Sequence, residues 1–269
     1  MKTALKYSRI LLAAVLLCSL LLRIPELQSS GIPEHSRLTI LMYHHVVKDG
    51  EATNSVTISE GKLEADLRCL TERGYTTVLP SELLSSKSLP EKAVLISFDD
   101  GYRSNYELAF PLLRKYGCKA AIALITSNLD AGMEMFLDWD MCRSMADSGL
   151  VEFGSHTHDL HNPQYGGELA PQGPNGIQRW RGEARSSYRS RLRADLETSR
   201  SRLLDELGTA PVFFAYPYGA TDRIGDPTVD ALFPVSVTTA PGYTDIRPGT
   251  ARMPRFAVRE DTDLLTILR

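Results

Sequence analysis

Short apolar runs alternate with segments of helical period along most of the chain. Leu38-Thr39-Ile40-Leu41-Met42-Tyr43 is apolar at nearly every position, as a strand buried on both faces requires. Leu63, Leu67 and Leu70 then recur at helical spacing, with Ser59 placed to cap the start and Gly74 to end it. Strands are predicted at Tyr75–Leu79, Ala93–Phe98, Lys119–Ile125, Val151–Phe153, Pro211–Tyr216, Val235–Thr239 and Phe256–Val258. Helices are predicted over Asn105–Tyr116, bent by Pro111 and ended by Gly117, over Met141–Ser148, and over Ser190–Leu207. Strands that alternate with helices pair in parallel through right-handed crossovers, so the pattern predicts an α/β barrel or a doubly wound sheet. In both, chemistry gathers where strands give way to loops.

Two stretches break the alternation. Residues 162–189 are rich in Gly, Pro, Gln and Arg and weakly periodic, which predicts a long inserted loop beside a cleft. Its arginines read as a solvated, salt-bridged face. At the N-terminus, Lys2, Lys6 and Arg9 precede an apolar run from Ile10 to Leu22. Residues 1–30 thus look like an export signal, cleaved or kept as a short membrane anchor, because the run falls short of the ~20 residues that span a bilayer. The remaining residues, 37–269, are expected to form the functional domain, exported or held at the outer face of the membrane. A net charge of -3 argues against nucleic acid as a partner. Cys69, Cys118 and Cys142 form no CxxC pair, so neither a disulfide framework nor a thiolate zinc site is indicated.

Four motifs carry candidate chemistry, and each follows a predicted strand. Asp99-Asp100-Gly101 sets two carboxylates side by side, where like charges resist joint ionisation unless a cation binds one of them. His156-Thr157-His158-Asp159-Leu160-His161 concentrates imidazoles, the ligands of a zinc site with open positions for water. Tyr216-Pro217-Tyr218-Gly219 is a rigid turn able to aim a backbone N–H at an oxyanion. Tyr43-His44-His45 adds titratable imidazoles at the end of the first strand.

In this order the motifs resemble the polysaccharide deacetylase family, whose shared module is the NodB homology domain. The resemblance runs from about Leu38 onward and implies a distorted (β/α)7-type barrel with a divalent metal, usually Zn2+. It implies Asp99 as catalytic base and Asp100, His156 and His161 as metal ligands, with His158 as the alternative histidine. Many members carry the second histidine where this chain has Leu160; the wider spacing to His161 resembles the biofilm poly-β-1,6-N-acetylglucosamine deacetylases. That subgroup implies His44 as general acid, with His45 as fallback, and the Tyr218 backbone N–H as oxyanion donor. Tyr43, Trp139, Tyr216 and Pro217 are expected to line the substrate cleft. The arginine that many members place two residues before the proline is Ala215 here, leaving Arg103 and Arg255 as candidates for its charge. The implied activity is N-deacetylation of an extracellular polysaccharide. Peptidoglycan, chitin or acetylated xylan are alternative substrates, and an inactive glycan-binding module is the alternative of another class.

Overall fold

A computed structural model describes residues 35–85, 88–161 and 176–268. The N-terminal segment expected to direct export and the first half of the predicted insertion lie outside these residues. Strand β1 (Arg37–Tyr43) leads to the short strands β2 (His45–Val47) and β3 (Thr57–Ser59), which pair with each other in a separate sheet. Helix α1 (Glu60–Glu72) follows, capped by the Ser59 side chain, which accepts from the Lys62 N–H. Gly74 beyond it is left-handed at φ 71°, as a helix stop requires.

The predicted strand Tyr75–Leu79 is reduced to β4 (Thr76–Thr77), because helix α2 (Pro80–Ser85) begins at once behind it. Strand β5 (Ala93–Phe98) has the predicted bounds. The predicted helix Asn105–Tyr116 is two pieces: a π-helical turn over Asn105–Ala109, then α3 (Phe110–Tyr116). Pro111 is the reason. It lacks an N–H and crowds the carbonyl four residues back, and the wider π turn before it relieves that clash.

The chain continues through β6 (Ala120–Leu124), α4 (Thr126–Asp130), α5 (Trp139–Asp147) and β7 (Val151–Ser155). Helix α6 (Arg185–Leu207) reaches back into the predicted loop and takes up its last five residues. Then come β8 (Phe213–Ala215), α7 (Asp226–Leu232), β9 (Val235–Val237), β10 (Thr244–Asp245) and β11 (Phe256–Ala257).

The strand order is β10-β1-β5-β6-β7-β8-β9, parallel throughout from β1 to β9, with β10 antiparallel at the edge. One segment spans both ends of this sheet. Met253 bridges Val237 of β9, while three residues on, β11 pairs in parallel with Leu41 and Met42 of β1. Residues 253–257 thereby act as a seventh stave, and the sheet curls into the expected distorted (β/α)7-type barrel.

Strand alternation sorts the core. Leu38, Ile40, Leu95, Ala121, Ala123, Phe213, Ala215, Val235 and Val237 fill the barrel, whereas Leu41, Ile96, Phe98, Ile122, Leu124 and Phe153 face the helices. The narrow interior takes small residues. A Cβ on Gly154 would lie 2.4 Å from the Phe213 carbonyl oxygen, so β7 and β8 approach only because glycine stands there. Cys69, Cys118 and Cys142 are all free thiols.

Candidate active site

His44, Asp99 and His156 are each the first residue beyond a strand, after Tyr43, Phe98 and Ser155. Tyr43 pairs with Phe98 in the β1–β5 register, and the Asp99 N–H extends that ladder by bonding the Tyr43 carbonyl at 3.0 Å. His156 does the same on the Leu124 carbonyl at 2.8 Å. The backbone therefore fixes these side chains at one level of the barrel mouth. Past the strand ends the chain must turn sharply, and Asp100, Thr157 and Tyr218 take positive φ angles of 71°, 76° and 59°. Such conformations cost non-glycine residues on the order of 1–3 kcal/mol each and gather at functional sites.

Asp99 is 2% exposed and is gripped by Arg255, which is fully buried. Arg255 Nη1 and Nη2 donate to the two Asp99 oxygens at 2.8 and 2.7 Å, its Nε donates to the Thr238 carbonyl at 2.8 Å, and Nη1 also reaches Ser97 Oγ at 3.1 Å. Burial by itself would raise the Asp99 carboxyl. The Arg255 guanidinium instead holds it well below the usual carboxylate range. Arg255 thus supplies the charge absent at Ala215. Arg103 does not: it is turned to the Glu134 carbonyl and to Asp138. His44 Nε2 stands 4.0 Å from Asp99 Oδ2, and the Asn105 side chain, on the π-helical turn, holds the His44 carbonyl at 2.8 Å.

Asp100, His156 and His161 converge beside Asp99, offering three ligand atoms within 4.8 Å of one another. Asp100 Oδ1 lies 3.5 Å from His156 Nε2 and 3.3 Å from His161 Nε2, yet this buried oxygen has no hydrogen-bond partner. A buried, unpartnered carboxylate oxygen facing two imidazole nitrogens fits a divalent cation of the zinc class. Burial lowers both imidazoles, His156 to about 3, so they are neutral and able to ligate at physiological pH. Burial pushes Asp100 the other way, up to about 6, which a cation would reverse.

Each of the three has an outer partner. His156 Nδ1 meets the Ala215 carbonyl at 2.7 Å, His161 Nδ1 meets the Tyr218 hydroxyl at 3.2 Å, and the Tyr102 hydroxyl donates to the Asp100 carboxylate. Such contacts orient ligands and tune their basicity. Gly101, between Asp100 and Tyr102, has φ 76°, and a Cβ there would lie 2.5 Å from the Leu124 side chain. The five-residue step from His156 to His161 is built without a helix. Asp195 of α6 accepts the His158 and Asp159 N–H groups at 2.9 and 2.8 Å, and Thr157 Oγ1 accepts from the Leu160 N–H at 3.1 Å. Leu160 turns into the core beneath α6, which returns His161 to Asp100.

Other expected site residues do different work. His158 is bonded through Nδ1 to Thr126 Oγ1 at 2.9 Å, and His45 through Nδ1 to Ser104 Oγ at 2.8 Å. Tyr43 does not face the cleft: it is 1% exposed on the helix side of the sheet, donating to Asp66 of α1 at 3.0 Å. Tyr216 is likewise fully buried, with its hydroxyl on Asp226 at 3.3 Å and its ring edge-on to Phe214. Both rings point outward because strand alternation sends every second residue to the helix layer. Pro217 is buried beneath the turn that exposes Tyr218. Trp139 is half-buried, with its indole N–H on Asp130 at 3.0 Å. The outer-shell role of Tyr102 was not anticipated; its place directly after Asp-Asp-Gly was the available signal.

Comparisons with known proteins follow the same lines. The chain is 29% identical over 216 residues to the poly-beta-1,6-N-acetyl-D-glucosamine N-deacetylase of Escherichia coli (strain K12), a match covering 71% of this chain and 32% of that protein. It is 38% identical over 128 residues to the YxkH protein of Bacillus subtilis (strain 168), named among polysaccharide deacetylases, covering 46% of this chain and 43% of that one. The chain thus spans less than half the length of both relatives. A solved de-N-acetylase from Aggregatibacter actinomycetemcomitans superposes with a TM-score of 0.73 at 29% identity, covering 86% of this chain and 98% of that one. The family description of polysaccharide deacetylases matches residues 86–229, a span that holds Asp99, Asp100, His156, His161 and Tyr218 but leaves out His44 and Arg255. By that match and by its curled barrel, this chain belongs to the polysaccharide deacetylase family.

Proposed function

We propose that the chain is a metal-dependent hydrolase that removes acetyl groups from N-acetylglucosamine units of an extracellular polysaccharide. The observation that carries this reading is the pairing of a charge-clamped carboxylate, itself outside the cation triad, with three groups able to hold a cation. Asp99 is locked by Arg255 beside Asp100, His156 and His161, and an imidazole stands 4.0 Å away.

Asp100, His156 and His161 would hold the cation, which when bound supplies Lewis acidity toward the acetyl carbonyl and makes water a better nucleophile. Asp99 stays ionised through the neutral range and accepts the proton of the attacking water at a carboxylate oxygen. We assign the Tyr218 backbone N–H, on a turn with φ 59°, as the donor to the developing oxyanion. His44 delivers a proton to the departing amine, which leaves poorly as an anion; that acid separates an amidase from an esterase. A pure glycan-binding module would gain nothing from a buried aspartate kept ionised by a buried arginine. The functional domain is assigned to residues 37–269. Residues 1–30 act as export signal or anchor, in keeping with a substrate outside the cell.

Relatives named for poly-beta-1,6-N-acetyl-D-glucosamine favour an exopolysaccharide over chitin, peptidoglycan or xylan. Acetate release should be measured on β-1,6- and β-1,4-linked N-acetylglucosamine oligomers and on acetylated xylan, each with and without a chelator. Chelator-sensitive release, fastest on the β-1,6 oligomers, is expected. Release only from xylan, or release untouched by complete metal removal, would overturn the reading.

A further inference from the structure

Trp180 is 49% exposed, one of only a few large apolar side chains so open among the described residues. Its ring is nevertheless fixed. The Arg191 guanidinium lies over it at 4.5 Å from the ring centroid, and Arg191 is itself held by both oxygens of Glu183 at 2.9 Å each. Glu183 closes the unit by accepting the Trp180 N–H at 3.0 Å. One ring face is therefore backed by a clamped cation, and the ring is held out in the solvent.

The segment that carries it is docked on the loop behind the site. Gly176 packs against Pro217 so closely that a Cβ would lie 2.8 Å from the proline ring. The Gln178 side chain donates to the Thr221 carbonyl at 3.2 Å, and the Arg179 N–H to Asp222 at 3.2 Å. Between these anchors stands Tyr218, 39% exposed, whose hydroxyl touches His161. The platform and the metal triad are thus joined through one short turn, Pro217–Gly219.

A rigid indole with a free apolar face has the form of a subsite for a sugar ring. It offers large contact area at little conformational cost, and the axial C–H bonds of a β-linked pyranose present a matching apolar face. The cation behind the ring is already neutralised by Glu183, so the face selects for a neutral apolar surface over an anion.

We infer that Trp180 forms a distal sugar-binding platform, taking an N-acetylglucosamine unit of the same polymer several residues along from the unit whose acetyl group meets Asp99. The inference rests on the proposed substrate class. The test compares acetate release from the β-1,6 dimer and hexamer for wild type, Trp180→Ala and Trp180→Phe. Calorimetric binding of the hexamer to the chelator-treated full-length proteins accompanies it.

Trp180→Ala should cut the hexamer-to-dimer ratio of kcat/KM by about tenfold, the scale of one ring-stacking contact, and weaken hexamer binding similarly. Trp180→Phe should restore most of both. An unchanged ratio, or an equal fall on dimer and hexamer, would overturn the platform. Trp180-dependent hexamer binding without acetate release would keep the platform and sink the deacetylase reading. Hexamer binding that ignores Trp180 would sink the platform whatever the activity.

Discussion

Arg255 and Asp99 stand 156 residues apart in the chain and make a two-pronged ion pair at 2.8 and 2.7 Å, with both side chains almost wholly buried. Breaking a buried pair on one side leaves an uncompensated charge and costs about 3–5 kcal/mol. Arg255→Met should therefore lower the melting temperature and bring the Asp99 carboxyl up, since burial would act unopposed. In activity, the acid limb of the kcat/KM profile should move to higher pH. Arg255→Lys keeps the charge but not the fork, and should fall between wild type and Met in both readouts. A pH profile unchanged in either variant would show that Arg255 does not tune the base.

The same pair sets a pH dependence of stability. The folded Asp99 carboxyl lies below its ordinary value of 3.8, so its contribution is complete above that pH and is lost as pH falls through the folded value. Denaturant midpoints should be flat with respect to this group from neutrality to about pH 5 and drop below pH 4. In Arg255→Met burial would lift the folded carboxyl above that ordinary value, so this group's contribution should change sign: its acid drop should vanish, and the midpoint should rise as pH falls through the raised value.

His44 sits beside Asp99 but outside the cation-binding triad. His44→Ala should lower kcat on N-acetylated oligomers by about 10²–10⁴-fold while metal content, measured on the purified protein, stays at the wild-type level. Asp100→Ala should abolish both. Metal lost in His44→Ala, or kept in Asp100→Ala, would reverse the assignment of the two residues.

Tyr102 and Tyr218 each contact, through a hydroxyl, one side chain of the proposed cation triad, Asp100 and His161 respectively. Tyr102→Phe and Tyr218→Phe keep the rings and remove only those hydroxyls. Each should weaken metal affinity about 10–100-fold in chelator competition, as loss of an outer-shell contact does elsewhere. Equal affinities in wild type and both variants would count against the bracing role.

Tyr43 provides a contrast near the same motif. Its hydroxyl bonds Asp66, itself paired with Lys62, and both the tyrosine and the aspartate are buried. Tyr43→Phe should cost about 1 kcal/mol of stability and leave KM alone. A raised KM would return Tyr43 to the substrate cleft.

Much of the scaffold was legible in the residue pattern because burial on both faces writes itself into a strand as an unbroken apolar run. The run Ala93–Phe98 matches its strand at both ends, and Ser59 caps the helix that its position predicts. Short or irregular elements left no such trace: β2, β3 and β10 span two or three residues each, and the π turn at Asn105–Ala109 answers to Pro111 rather than to any periodicity. Tyr43 and Tyr216 lie on the helix side of the sheet rather than in the cleft, since adjacency in sequence to His44 and Pro217 says nothing about which side of the sheet a ring takes.

The order of residues alone sets out the chemical inventory and its placement at strand ends: two adjacent carboxylates, clustered histidines and a proline turn, each directly behind an apolar run. Which of those groups meet follows from how the barrel closes. The fold chose Arg255 over Arg103 because residues 253–257 close the barrel and deliver that side chain to its interior. It chose His161 over His158 because Asp195 and Thr157 hold a loop whose Leu160 seeks the core. Local sequence sets backbone propensity and burial; pairing between distant residues is fixed by barrel closure, which no short stretch of chain encodes.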